Sequence, residues 1–368
     1  MDSDRRPRLT PAIADVRRAV REALLTLPRD ARDARDGRDG GEGKSGSGAG
    51  GGGAVDARAA SEPDAPLVLV ALSGGPDSLA LAAATAFEAP RAGLRAGAVI
   101  VDHNLQAGSA DVAEQAAAHA RALGLDPVLV RQVTVATSAD GGGPEAAART
   151  ARYDALASAA ERTGATAVLL GHTLDDQAET VLLGLARGSG AGSVRGMEAR
   201  NGLYLRPLLR IRRASTVGFC AESGLEAWTD PQNSDPAFSR VRVRTVVLPM
   251  LEAELGPGIA EALARTAEQL REDDDALDHF AEEVAEELAD IADGGISLPV
   301  RALASNPAAL RQRLIRLAVQ SEFHLSLSRA HTLEVARLVT HWHGQGPLDL
   351  PGIRVERQGG LLVFTANR

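Results

Sequence analysis

Two hydrophobic periods alternate along this chain of 368 residues, and each change of period marks an element. Residues 10–27, TPAIADVRRAVREALLTL, carry apolar side chains at three- and four-residue intervals. That spacing predicts an amphipathic helix with Thr10 as N-cap and Pro11 at its first position. From Pro66 the pattern shifts to short strand-like runs: the continuous apolar PLVLVAL (66–72), then GAVIVD (97–102), PVLVRQV (127–133) and ATAVLLG (165–171). Runs of this length suit strands buried on both faces. Helical patterns follow them at about 77–87, 109–123, 144–163 and 174–187. Strand–helix alternation predicts an α/β fold, a Rossmann-like parallel sheet with helices on both faces. Such sheets bind ligands at the carboxyl ends of their strands, where Ser73, Asp102 and His172 stand.

The remaining pattern predicts a division of the chain. Residues 1–28 hold the N-terminal helix. Residues 29–65 run into GGEGKSGSGAGGGGA, a tract too poor in apolar surface to offset the entropy of ordering, so a disordered Gly-rich linker is expected. Residues 66–248 form the α/β domain, ending in a loop-rich stretch from about 187. Residues 249–368 form a smaller, mainly helical domain: 250–293 are helical and acidic, 305–343 hold two further helical patterns, and the tail forms a β-hairpin around Gln358-Gly359-Gly360.

Composition narrows the chemistry. Apolar residues make up 44% but aromatics only 3%, so the core must rest on Ala, Val and Leu. With 40 basic and 49 acidic residues the net charge is −9, which excludes a global basic coat for nucleic acid. The exception is local: residues 187–244 hold ten arginines against five carboxylates. A single cysteine, Cys220, excludes an internal disulfide and any multi-cysteine metal cluster. No apolar segment follows the N-terminus and no run approaches the roughly 20 residues of a membrane span, so a cytoplasmic protein with no membrane contact is expected.

The first strand ends in Ser73-Gly74-Gly75-Pro76-Asp77-Ser78, with a helix immediately after. Two glycines let the backbone approach an anion, the helix start offers free N–H groups, and Ser73 and Ser78 add hydroxyls. A Walker loop needs a lysine that is missing here, since Lys44 is the only lysine. Asp77 inside an anion cradle suggests a bridging Mg²⁺, or else a simple helix cap. Asp102-His103 closes the second strand. The fourth ends in Gly171-His172-Thr173-Leu174-Asp175-Asp176-Gln177-Ala178-Glu179-Thr180. On a helix His172 would sit four residues from Asp176, and Asp175 four from Glu179, giving an acid/base or metal site, or merely an acid-rich helix start. Glu145 and Arg149 are similarly spaced, and Arg149, Arg152 and Tyr153 share that face. They make either an internal salt bridge or a guanidinium site for a carboxylate or phosphate.

SGGPDS, VDHNLQ, E-AAAR-TARY, GHTLDDQAET, Arg206-Pro207-Leu208-Leu209, WTDPQN and RVRVR, in that order, resemble the tRNA(Ile)-lysidine synthetases of the N-type ATP pyrophosphatase (PP-loop) superfamily, across roughly 66–250. The chain departs from that family's usual pattern at Gln106, Gln232 and RVRVR, and in the extra tract 29–65. The resemblance implies ATP as substrate with Mg²⁺ as cofactor, and free lysine and the CAU-anticodon tRNA(Ile) as partners. ATP would adenylate the wobble cytidine at its C2 oxygen, and the lysine amine would then displace AMP. Carried over, it assigns ATP binding to Ser73, Gly74, Gly75, Pro76, Asp77, Ser78, Asp102 and His103, with Asp77 also at the metal. Catalysis falls to Asp77, His172 and Asp176. Lysine or substrate binding falls to Glu145, Arg149, Arg152, Asp175 and Glu179, and tRNA binding to Arg206, Arg212, Arg240, Arg242 and Arg244. A homodimer is kept as an open expectation.

Three rivals share part of this pattern. Another PP-loop enzyme that modifies tRNA by thiolation would need more cysteines. An amidating ligase leaves the arginine-rich stretch unexplained. A non-catalytic nucleotide or RNA binder has no need of Asp77 and Asp176.

Overall fold

The run after Pro66 forms β1 (Leu67–Ala71), and its first four residues are buried. Its side chains divide between two layers, as alternation along a strand dictates. Val68 and Val70 enter a core of Ala, Val and Leu that includes Leu79 and Ala113, while Leu67 and Leu69 pack with Leu156 and Ala159 on the opposite face. In a computed structural model of the protein, residues 9–27, 64–103, 108–133, 143–188, 191–230, 235–288, 290–292 and 295–367 are described. The expected linker, with Lys44, lies outside them apart from its last two residues. Residues 104–106 of VDHNLQ, residues 231–233 of WTDPQN and the side chain of Glu145 also lie outside.

β1 pairs parallel with β2 (Arg95–Asp102) on one side and β4 (Ala167–Leu169) on the other, with β3 (Val128–Gln132) beyond β2. A short antiparallel pair, β5 (Arg200–Asn201) and β6 (Tyr204–Leu205), completes the edge next to β4, giving the order β3-β2-β1-β4-β6-β5. Chain order therefore runs outward from β1 in both directions, and the direction reverses between β1 and β4. At such a reversal the crossover connections leave on opposite faces and a crevice opens between the two strand ends. The two densest polar motifs, SGGPDS and GHTLDDQAET, follow those two strands.

The helices covering this sheet are α2 (Pro76–Glu88), α3 (Ser109–Ala122), α4 (Gly143–Thr163), α5 (Leu174–Arg187) and α6 (Arg213–Glu222). The N-terminal helix α1 (Pro11–Leu24) joins the same core through Val16 and Val20, both fully buried, and Thr10 accepts from the Ile13 N–H as its cap. One charge cluster fixes its position. Glu88, wholly buried at the end of α2, accepts from Arg17 at 2.8 Å and from Arg21 at 2.8 and 3.0 Å. Burial opposes ionisation of Glu88, but the two guanidiniums outweigh it and hold its carboxyl below the usual range.

The chain divides into two units, Met1–Ala267 and Glu268–Arg368. The division falls inside the helix α8 (Ile259–Leu288), later than the 248/249 expected from composition. In the first unit Ile259, Ala260 and Leu263 pack with Leu174, Ala178 and Leu248, the last in α7 (Leu248–Leu255).

The second unit contains α9 (Val300–Ser305), α10 (Ala308–Phe323) and α11 (Arg329–Thr340). The expected tail hairpin is the pair β10 (Ile353–Gln358) and β11 (Leu361–Ala366), with Gln358 opposite Leu361. It belongs to a larger antiparallel sheet with β7 (Asp290–Ala292), β8 (Gly295–Pro299) and β9 (Leu348–Leu350), in the order β7-β8-β11-β10-β9. Residues 290–292, read from sequence as the end of a helix, are thus a strand paired with β8. Strands of three residues are too short to show a period of two. Phe364, Leu303, Ile315 and Val335 form the core of this unit. No helix among the described residues is long and apolar enough to cross a membrane.

Candidate active site

The turn after β1 is built for close approach. Gly74 has φ of +85°, a left-handed conformation that side chains disfavour. Its carbonyl accepts the N–H of Trp228 at 2.9 Å, which gives part of the WTDPQN motif a structural task. The Ser78 hydroxyl donates to the Gly75 carbonyl at 3.0 Å and accepts the Ser73 N–H at 3.2 Å, so it braces the loop from within. No side chain caps the start of α2. Its first N–H groups stay available to an anion, and Pro76 has none to satisfy.

Asp77 does not cap that helix. Its Oδ2 accepts from Arg213 Nε at 3.0 Å and its Oδ1 from the Thr216 hydroxyl, both on α6. Burial raises the Asp77 pKa, and Arg213 and Thr216 only partly offset it.

Across the crevice, the turn after β4 carries a glycine, Gly171, for a steric reason. A Cβ on Gly171 would meet Ser78 N at 3.1 Å and the Asp77 carbonyl carbon at 3.2 Å. Gly171→Ala is therefore expected to push the phosphate turn by a few tenths of an ångström. The expected loss in kcat/KM is about 10- to 100-fold with stability lowered by only about 1 kcal/mol, read by steady-state kinetics and chemical denaturation. His172 lies before the helix and not on it, so the expected helical spacing to Asp176 does not apply. α5 begins at Leu174, capped by Thr173, whose hydroxyl and N–H both donate to Asp176 Oδ2, at 2.9 and 2.8 Å.

The helix start is capped by one oxygen of Asp176, while the other joins a charge network. Asp176 Oδ2 serves the cap, while Oδ1 accepts from Arg213 Nη2 at 2.6 Å and from Arg244 Nη2 at 3.3 Å. Glu179, fully buried, accepts from Arg244 at 2.7 and 3.0 Å and from Arg213 at 3.4 Å. Asp175 accepts the Arg213 backbone N–H at 2.7 Å and pairs with Arg212 at 3.1 Å, and Arg212 also reaches Glu261 at 2.8 Å. Burial opposes ionisation of Asp176, but Arg213 and the Thr173 N–H outweigh it, so its pKa is lowered. The same acids hold Arg213 firmly charged against its own desolvation. Beside this network lies a cavity of about 130 Å³ lined by Asp175, Glu179, Arg212, Arg244 and Glu252.

Two family models match the chain. Residues 56–251 match the PP-loop domain family and residues 298–362 the TilS substrate binding domain. The chain is 66% identical to a tRNA(Ile)-lysidine synthase of Leifsonia xyli, over 81% of this chain and 89% of that one. It is 53% identical to a tRNA(Ile)-lysidine synthase of Thermobifida fusca, over 83% of this chain and 93% of that one. The chain belongs to the tRNA(Ile)-lysidine synthase family. A U34-tRNA thiolase of Methanococcus maripaludis shares the fold, with a TM-score of 0.50 and 18% identity over 71% of this chain and 80% of that one.

Within this family member, the site residues expected from sequence separate into two groups. Asp77, Asp175, Asp176 and Glu179 meet in one network. Of the arginines expected on an RNA surface, Arg244 turns inward to Asp176 and Glu179, buried carboxylates that demand partners, and the more exposed Arg212 pairs with Asp175 and Glu261. Arg206 is buried and donates to the Glu198 carbonyl at 2.8 Å. Arg242 is exposed but engages the carbonyls of Pro236 and Ala237. Arg240 contributes positive potential at His172, together with Arg206 and Arg149.

The second group surrounds His172 and His103. Arg152 Nε donates to His103 Nε2 at 3.3 Å, and Arg149 lies over the Tyr153 ring at 4.9 Å. The buried Nδ1 atoms of both histidines and Nε of Arg206 have no protein partner. Asp102 is buried at the end of β2.

Burial, more than the neighbouring arginines, lowers the His172 pKa to about 4, so the ring is neutral at pH 7. Its unfolded counterpart protonates near 6.5. The folded pKa is depressed, so the neutral ring's contribution to stability is complete above about pH 6.5 and is lost as pH falls toward 4. His172→Asn is expected to flatten that part of the stability–pH curve relative to the parent, as measured by urea unfolding.

Arg213 and Thr216 are the site residues that sequence reasoning missed. Arg213 stood among the arginines of 187–244, and only its neighbour Arg212 was singled out. What separates them is a tertiary placement: Arg213 opens α6, so its backbone N–H and its side chain both point to one cluster.

Proposed function

We propose that the protein joins free lysine to C2 of the wobble cytidine of the CAU-anticodon tRNA(Ile), using ATP and giving lysidine, AMP and pyrophosphate. Membership of the tRNA(Ile)-lysidine synthase family supports this reading. The observation that carries it is the uncapped SGGPDS turn facing a carboxylate–guanidinium network across the β1/β4 crevice. One side suits the triphosphate and the other suits an amine.

In the first step the cytidine C2 oxygen attacks the α-phosphorus and pyrophosphate leaves. The free N–H groups at the start of α2 stabilise the charge that develops on it. In the second step the lysine ε-amine, having lost a proton, attacks C2 and AMP departs. Asp175, Asp176 and Glu179 offer the acceptors that would hold the ammonium before deprotonation. Of the proposed proton acceptors, His172 and Asp176 are both shifted toward weaker basicity, whereas Asp77 is shifted toward stronger. The neutral His172 ring, set among Arg149, Arg206 and Arg240, suits hydrogen bonding to the base or its phosphate.

Magnesium accompanies the triphosphate in this reading. Asp77 is poorly disposed to hold it, because both carboxylate oxygens already accept from Arg213 and Thr216. Among the described residues no group of three His, Cys, Asp or Glu side chains could hold a metal ion. The reading places the enzyme with its tRNA in the cytoplasm, and sedimentation of the purified protein tests the homodimer.

The deciding experiment is mass analysis of RNase-digested tRNA(Ile) after incubation with ATP, magnesium and lysine. A gain of one lysine less one water on the wobble cytidine is expected. An unchanged nucleotide would leave the family assignment and remove the activity.

A further inference from the structure

We infer that Arg213 couples the two half-sites, so that nucleotide and lysine bind cooperatively. This rests on the lysine ligase reading above. A single guanidinium, 22% exposed, spans the crevice from Asp77 on the phosphate-turn helix to Asp176 and Glu179 on α5. Its contacts are 3.0, 2.6 and 3.4 Å. In this arrangement it occupies the carboxylates that an ammonium would need. Arg244 takes further lone pairs of the same two α5 acids, at 3.3 and 2.7 Å.

The geometry makes the competition direct. An incoming ammonium at Asp176 and Glu179 must displace Arg213, at the cost of those ion pairs. The triphosphate supplies what Arg213 would move toward. Asp77 is the second residue of α2, so the guanidinium already rests beside the uncapped helix start where the anion binds. A polyanion there attracts Arg213 more strongly than one carboxylate does. Drawn to the phosphates, Arg213 releases Asp176 and Glu179 beside the cavity of about 130 Å³ that Glu179 and Asp175 line. Its backbone anchor, the N–H on Asp175, does not have to move. Arg213 is thus a positioning residue: nucleotide prepares the amine site, and lysine, by thermodynamic reciprocity, tightens nucleotide binding by the same factor.

The test is calorimetric titration of lysine into the full chain, alone and saturated with a non-hydrolysable α,β-methylene ATP analogue and magnesium. In the parent protein the analogue is expected to tighten lysine binding about ten-fold or more, with the same factor when the order is reversed. Arg213→Gln is expected to bind lysine without nucleotide more tightly than the parent does and to reduce the factor to about one. Arg213→Lys, which keeps the charge but cannot span three carboxylates, is expected to fall between them and serves if Arg213→Gln does not fold. Equal lysine affinity with and without nucleotide in the parent overturns the inference alone, as does a variant that keeps the full factor. Failure of the parent to bind lysine in either state overturns the lysine ligase reading itself and the inference with it.

Discussion

Asp77→Ala is expected to lower kcat/KM for tRNA-dependent ATP turnover by about 100-fold or more, close to 3 kcal/mol of transition-state stabilisation. The reason lies in what the carboxylate holds. It orients Arg213 and accepts from Thr216, so its loss frees the guanidinium beside the phosphate turn and removes a negative charge from the crevice. The residue is half-buried and caps no helix, so the variant is expected to stay folded, with a stability loss of no more than about 1.5 kcal/mol. Pyrophosphate release and urea unfolding measured on the same preparation separate the two effects. Turnover close to that of the parent would remove Asp77 from the mechanism.

Glu179→Ala is expected to have the largest effect on stability of any substitution in the site, about 3 kcal/mol. Its carboxylate is fully buried, while its partners Arg213 and Arg244 are 22% and 29% exposed. Truncation leaves two largely desolvated guanidiniums short of a counter-charge and opens a void against α5. Glu179→Gln keeps the shape and one acceptor, so a loss of about 1–2 kcal/mol is expected. In the lysine ligase reading both variants also raise the KM for lysine, and the Gln variant, still folded, is the one that reports it. Denaturant unfolding gives the first quantity and lysine-dependent turnover the second. An Ala variant as stable as the parent would mean that the network is solvated and not buried.

Much of the first unit could be read along the chain because its signals are local. Continuous apolar runs of five to seven residues give buried strands, Thr10-Pro11 marks the start of α1, and two glycines after β1 mark a turn that no other residue would favour at Gly74. The second unit was less legible. β7 and β9 have three residues each, too few for a period, and only the hairpin with its Gly-Gly turn announced itself.

By itself the sequence determined the α/β order, the phosphate turn and the family to which the turn belongs, because each depends on residues adjacent in the chain. The tertiary structure alone decided how the charges pair. Asp77 and Arg213 are 136 positions apart, and Glu179 and Arg244 are 65 apart. Arg213 and Arg244 turn inward because the buried carboxylates of Asp176 and Glu179 on α5 cost too much without partners. No spacing rule within 187–244 could have distinguished Arg213 from the arginines around it, since its role is set by which helix ends meet across the β1/β4 crevice.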